Sequence, residues 1–164
     1  MHVDPLTDAE IRSSFVNCSK GEATRLNLPR DLASLGWDDL DYLGWRDPQA
    51  PARGYLVTEL DGRLRGLVLR APSAGVGRRA SMCSLCLTVR SGGVALMVAP
   101  RAGKAGQRGH SVGTPMCADL ACSLYVRGLL SAGAVVHETL TVDQRVDRLN
   151  ANVHAFVARA MRAE

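Results

Sequence analysis

With 164 residues, 46% of them hydrophobic and 22% charged, the chain is expected to form one domain, 1–164, able to bury a core without disulfides, which excludes a disordered chain. The net charge of +4 is modest, and the cations are scattered arginines apart from Lys20 and Lys104, which argues against a dedicated nucleic-acid binder. No signal-peptide-like run opens the chain and no segment approaches the roughly 20 apolar residues of a membrane span, so a cytoplasmic location is expected, where five cysteines serve as thiols or metal ligands.

Thr7 and Glu10 form a T-x-x-E capping box, and Leu6 can staple onto Ile11. A first helix is predicted over Asp8–Cys18, with Ile11 and Phe15 on its docking face. A second box, Ser19-Lys20-Gly21-Glu22, opens a short helix that stops before Leu28-Pro29. Residues 30–53 combine Trp37, Tyr42 and Trp45 with Asp38, Asp39, Asp41 and Asp47 without a clean period. They read as an irregular, aromatic-anchored stretch whose carboxylates form a solvated face, with a metal or partner site as the alternative.

Gly54–Leu60 and Arg63–Arg70 flank Asp61-Gly62, the pair that supplies the positive φ angles of a type I′ hairpin turn. A Gly- and Pro-containing loop follows (Ala71–Ala80), and then a predicted strand pair, Leu87–Arg90 and Val94–Ala99, joined by Ser91-Gly92-Gly93. Pro100–Gly109, with Arg101, Lys104 and Arg108, reads as a mobile, exposed loop. A helix is predicted over Ala118–Arg127. A last capping box, Thr141 and Gln144, opens an amphipathic helix with Val142, Val146, Leu149, Val153, Phe156 and Ala160 on one face; Arg145, Asp147, Arg148 and Asn152 face water.

Cys83-x2-Cys86 and Cys117-x4-Cys122 are two closely spaced thiol pairs 30 residues apart. Zinc takes four soft donors in a tetrahedron, and each pair can chelate from one turn. With Cys122 in the first turn of the predicted helix, amide dipoles favour its thiolate. The order of knuckle, hairpin and helix is that of a treble-clef finger. The competing readings are a redox pair at Cys83/Cys86 and inert buried thiols. A redox pair opens a helix, whereas Cys86 leads into a predicted strand, and neither alternative accounts for the second pair. Four thiolates would make the zinc structural, with no position left for water or substrate. Cys18 has no partner in sequence and reads as a small buried residue. The histidines (His2, His110, His137, His154) match no catalytic spacing; His110, seven residues before Cys117, is the one with a possible ligand role, against that of an exposed loop residue.

Ser14-Phe-Val-Asn-Cys-Ser-Lys-Gly-Glu22, Leu43-Gly-Trp-Arg-Asp-Pro48, Met82-Cys-Ser-Leu-Cys-Leu-Thr88 and Met116-Cys-Ala-Asp-Leu-Ala-Cys-Ser-Leu-Tyr-Val-Arg127 carry a resemblance over nearly the whole chain. They resemble the treble-clef zinc-finger domain of elongation factor G-binding proteins, the FusB-type fusidic-acid resistance family. Resistance members carry an additional N-terminal helical bundle, whereas this chain begins almost directly at the finger domain. The resemblance implies an α+β fold, a treble-clef zinc finger embedded in a small antiparallel sheet with N- and C-terminal helices, holding one structural Zn2+ on the four cysteines. It also implies a non-enzymatic protein that binds elongation factor G and promotes its release from the ribosome, with no small-molecule substrate. A ribosome- or rRNA-binding finger that never touches the factor is the alternative. Family members use aromatic contacts around the finger; here Ser84 occupies the knuckle and Ser111 the stretch before Cys117. Those two residues and Arg101, Lys104 and Arg108 are the candidate partner contacts.

Overall fold

The computed structural model describes residues 3–71, 80–131 and 139–162. Most of the predicted loop Ala71–Ala80, together with His2 and His137, lies outside them. Five antiparallel strands run in the order β1-β2-β3-β6-β7: Leu43–Arg46, Arg53–Leu60, Arg63–Arg70, Val94–Pro100 and Ser111–Cys117. A separate pair, β4 (Ala80–Met82) and β5 (Val89–Ser91), carries the knuckle between its strands. Helices α1 (Asp8–Ser14) and α2 (Lys20–Arg25) precede the sheet, α3 (Gly103–Gln107) joins β6 to β7, and α4 (Cys122–Val126) and α5 (Val142–Met161) follow.

Alternation along the strands splits the core between two faces of the sheet. Leu56, Leu67, Leu69, Met97 and Met116 pack with the four cysteines and with α5. Tyr55, Val57, Val68, Leu43 and Trp45 pack with Ile11 of α1 and Ala23 of α2. The α5 stripe holds from Val146 to Ala160 and gains Val157, all buried, while Val142 in the first turn is 43% exposed. Each buried Val, Leu or Phe of this stripe contributes about 1.5–3 kcal/mol.

The capping boxes at Thr7/Glu10 and Thr141/Gln144 form as the spacing predicts, and Ser19 caps α2. Asp61 (φ 54°) and Gly62 (φ 77°) make the left-handed turn between β2 and β3.

Several expectations are corrected. The first helix stops at Ser14 rather than Cys18, because Phe15 turns extended to bridge Gly66, and the Val16 N–H donates to the Gly66 carbonyl at 3.0 Å. A Cβ at Gly66 would lie 2.6 Å from Ser14 Oγ, so this close crossing needs glycine. The irregular stretch contains a full strand, β1, paired to β2 from Leu43↔Val57 to Arg46↔Gly54. Two of its carboxylates, Asp41 and Asp47, are buried and hydrogen-bonded rather than solvated.

The predicted hairpin of 87–90 with 94–99 does not form. Gly92 takes a positive φ of 74° and sends the chain from one sheet to the other, so β5 pairs back to β4 while β6 pairs with the unpredicted β7. Pro100–Gly109 is not a loose loop: it contains α3, buries Ala105, and is pinned where Ala102 N–H donates to the Ala160 carbonyl at 2.8 Å. The helix expected over 118–127 begins only at Cys122, since Leu120 adopts φ 58°.

Candidate metal centre

The knuckle is built by its own backbone. Cys83 N–H donates to the Thr88 carbonyl (3.0 Å) and Leu87 N–H to the Cys83 carbonyl (2.9 Å), closing a tight turn in which Leu87 takes φ 58°. This aims the Leu85 and Cys86 amides at Cys83 Sγ, 3.3 and 3.4 Å away. Amides directed at sulfur favour a thiolate over a thiol. Ser84 N–H, on the outer side, donates to the Pro115 carbonyl of β7 at 2.8 Å and so docks the knuckle on the sheet edge.

The second pair comes from a strand end and a helix start. Cys117 closes β7 opposite Val94, the chain reverses through Leu120, and Cys122 is the first residue of α4. Tyr42 holds that reversal by donating its phenol to the Leu120 carbonyl at 2.9 Å. Gly44 makes the approach possible, since a Cβ there would meet the Tyr42 ring at 2.7 Å and Leu120 Cβ at 2.9 Å.

All four sulfurs lie within 4.8 Å of one another and all four residues are buried. Cys83 and Cys122 are 3.7 Å apart, Cys86 and Cys117 3.6 Å. Zinc–sulfur bonds of about 2.3 Å in a tetrahedron set neighbouring sulfurs about 3.8 Å apart, whereas a disulfide needs about 2.05 Å. The spacing therefore fits one zinc ion and leaves no disulfide among the described cysteines.

Without a cation these thiols compete for protons. Hydrogen bonds from Cys117 and then Cys122 pull the Cys83 thiol down, whereas the hydrogen bond to Cys117, with burial, pushes Cys122 up. A dication ends the competition by making every member a thiolate. Burial and the nearby Cys122 sulfur hold Tyr42 as a neutral phenol.

Three neighbours support the ligands, and the spacing of the cysteines pointed to none of them. The Arg90 guanidinium lies 4.2 Å over the Tyr125 ring and 3.6 Å from Asp119, and the nearby Cys117 sulfur favours its charged form. Gly93 opens the space for it, since a Cβ there would stand 2.4 Å from the guanidinium. Asn152 donates to the Leu85 carbonyl at 2.9 Å, so part of the supposed water-facing side of α5 holds the knuckle. Behind α4, the buried Asp41 carboxylate accepts both Arg127 Nη atoms (2.7 and 3.0 Å) and Asn150 (3.2 Å), while the Asp41 N–H donates to Ser123 Oγ (3.0 Å). The sequence signal was present in one case: Asn152 borders the apolar stripe beside Leu149 and Val153.

Of the other candidate residues, all but Ser84 lie away from the metal site. Ser84 is exposed at the knuckle. Lys104, Arg108 and Ser111 are exposed around α3, and Arg101 donates Nη1 to the Arg159 carbonyl (2.8 Å) at the end of α5. Ser111 pairs with Pro100 and Cys117 with Val94, so these residues sit at the opposite end of the β6–β7 hairpin, about 20 Å from Cys117 at roughly 3.3 Å per residue. His110 lies at that far end, exposed, and is no ligand.

Among the described residues, no helix is long and apolar enough to cross a membrane. No curated protein matches the chain. The solved structure of the fusidic acid resistance protein FusC superposes with a TM-score of 0.58 at 13% identity, covering 96% of this chain. This chain spans 60% of that one, and the likeness shows a shared fold. A model of the FBP C-terminal treble-clef zinc-finger family matches residues 10–160, which include all four zinc-site cysteines. On that match and the geometry of its four buried thiols, the chain belongs to the FBP C-terminal treble-clef zinc-finger family.

Proposed function

We propose that this chain acts as one domain in the cytoplasm, a non-enzymatic zinc-finger module that binds elongation factor G and promotes its release from the ribosome. The carrying observation is the closed four-thiolate centre inside a family match over residues 10–160. Four thiolates saturate tetrahedral zinc, so the ion organises the knuckle, β7 and α4 rather than meeting substrate. The likeness to a fusidic acid resistance protein supports the same reading at the level of fold.

Ser84, Arg101, Lys104, Arg108 and Ser111 are the proposed contacts. Lys104 and Arg108 project beside α3, where cations speed encounter with an acidic partner more than they add affinity. The test is a calorimetric titration of zinc-loaded protein with purified elongation factor G, with and without ribosomes. Saturable binding to the factor, weakened by Arg108→Glu with the melting temperature unchanged, is the expected result. Tighter binding to ribosomal RNA than to the factor, falling steeply with salt, would replace this reading with that of an RNA-binding finger.

A further inference from the structure

A cleft of about 750 Å³ opens between α2 and the end of the β2–β3 hairpin, on the face of the sheet away from the zinc. Arg25, Arg53 and Arg70 line it, with Glu22 and Asp47 the two carboxylates. Arg53 and Arg70 are direct cross-strand partners in the β2–β3 ladder. Like charges placed so are destabilising, and a fold keeps them there at a cost.

The carboxylates do little to relieve it. Asp47 Oδ1 accepts from Asn27 Nδ2 (3.0 Å), Gln49 N–H (2.9 Å) and Ala50 N–H (3.2 Å), and Oδ2 accepts from the Tyr55 hydroxyl (2.5 Å). Its oxygens are already taken by neighbours other than the arginines. Glu22 reaches one guanidinium, Arg53, at 3.5 Å across a partly exposed gap. Arg53 Nε is buried and makes no hydrogen bond among the described residues.

We infer that this cleft binds a phosphate group between Arg25, Arg53 and Arg70. Three guanidinium forks carry more donors than the engaged Asp47 and the single Glu22 contact can satisfy, whereas the tetrahedrally disposed oxygens of a phosphate, two non-bridging in a diester and three in a terminal group, can accept from forks on several sides at once. Such a ligand would also relieve the Arg53/Arg70 repulsion. The phosphate belongs either to a small free molecule or to an RNA backbone. The site is independent of the contacts proposed for elongation factor G.

The experiment uses the zinc-loaded full chain, titrated with pyrophosphate by calorimetry and with a short single-stranded RNA by fluorescence anisotropy. Arg25→Gln and Arg70→Gln both alter exposed side chains, and Arg63→Gln, exposed at the other end of the hairpin, is the control. Loss of one charge-assisted pair should weaken binding about tenfold in each cleft variant, with the control within twofold. Arg70→Gln should leave the melting temperature unchanged or raised, where a purely structural arginine would lower it. Binding of pyrophosphate alone assigns a free phosphate ligand; tighter binding of RNA, weakened by the same variants, assigns a backbone phosphate. No saturable binding of either probe at millimolar concentration, equal loss in the control, or tighter binding of a poly-glutamate peptide than of pyrophosphate each overturns the inference.

Discussion

Asn152 of α5 donates its side-chain amide to the backbone carbonyl of Leu85, inside the knuckle between Cys83 and Cys86. The long helix thus grips the zinc centre through one polar contact set among apolar ones, Leu149 and Val153 on one side and the buried Leu85 on the other. Asn152→Ala leaves that carbonyl without its partner, and should cost about 1–3 kcal/mol of stability. The knuckle should also loosen, so zinc transfer to a colorimetric chelator should be several-fold faster. An unchanged transfer rate would show that the knuckle holds its shape without the helix.

Zinc and protons compete for the same four sulfurs. All four must be thiolates in the metal complex, while the metal-free cluster retains protons, with the Cys117 and Cys122 thiols pushed up by their sulfur neighbours and burial. Zinc binding therefore releases protons, and affinity should fall progressively as pH is lowered from about 8 to 5. Chelator competition at a series of pH values measures it; a flat profile would exclude thiolate ligation. Cys122→Ser should lose both metal and solubility, read by zinc content and the soluble fraction. Full zinc content in that variant would remove Cys122 from the ligand set.

The four-cysteine cluster is legible in the sequence because metal chelation leaves a local spacing, C-x2-C and C-x4-C, that needs no knowledge of the fold. Helix caps and the Asp61-Gly62 turn were legible for the same reason, being chemistry between near neighbours. Strand pairing was not. Val89–Ser91 and Val94–Pro100 look like a hairpin joined by glycines, yet their partners are Ala80–Met82 and Ser111–Cys117, chosen by burial and by the knuckle. β7 carries no clear strand signal because Gly113 and Pro115 break its sequence pattern; both occupy the exposed face, where an edge strand tolerates them. The burial of Asp41 and Asp47 has no local sequence signal, because their partners, Arg127 and Tyr55, are brought in only by the folded sheet and α4.

The Asp41–Arg127 pair is such a long-range contact. The Asp41 side chain is fully buried and that of Arg127 15% exposed, with two hydrogen bonds between them. Arg127→Ala would strand a buried carboxylate, costing about 3–5 kcal/mol. Arg127→Lys restores charge without the fork and should recover part of that loss. Denaturant unfolding of the zinc-loaded variants checks both: Arg127→Lys as stable as the parent would show that charge alone suffices, and Arg127→Lys no better than Arg127→Ala that the fork carries the whole effect.

Asp47 contributes to the acid limb of stability. Burial raises its carboxyl, but the hydrogen bonds from Tyr55, Gln49, Asn27 and Ala50 outweigh it and hold the group below the usual carboxylate range. A group lowered in the folded state stabilises above its unfolded value, near 3.9, and that stability is lost as pH falls through the folded value. Asp47→Asn should therefore destabilise the protein at neutral pH, by about 1–3 kcal/mol, while the difference from the parent narrows below pH 4. Melting temperatures between pH 3 and 7 measure it. Parallel curves at all pH values would show that Asp47 keeps its charge throughout.

Asn17 fills a gap in the sheet. β3 and β6 share one paired position, Arg70↔Val98, and the next, Val68 opposite Pro100, lacks a ladder donor because proline has no N–H. The Asn17 side chain takes the place of the missing peptide: Nδ2 donates to the Val68 and Pro100 carbonyls, both at 3.0 Å, and Oδ1 accepts the Val68 N–H at 2.8 Å. Asn17→Ala removes three bonds at the seam joining the β1–β2–β3 half of the sheet to the half that carries Cys117. The expected cost is about 2–4 kcal/mol, larger than for an ordinary half-buried polar residue because backbone groups are left unpaired. Hydrogen exchange distinguishes this from a general loss of stability. The Val68 amide should lose protection well beyond the global change while amides of the β2–β3 turn side follow it, and uniform acceleration would refute a local seam.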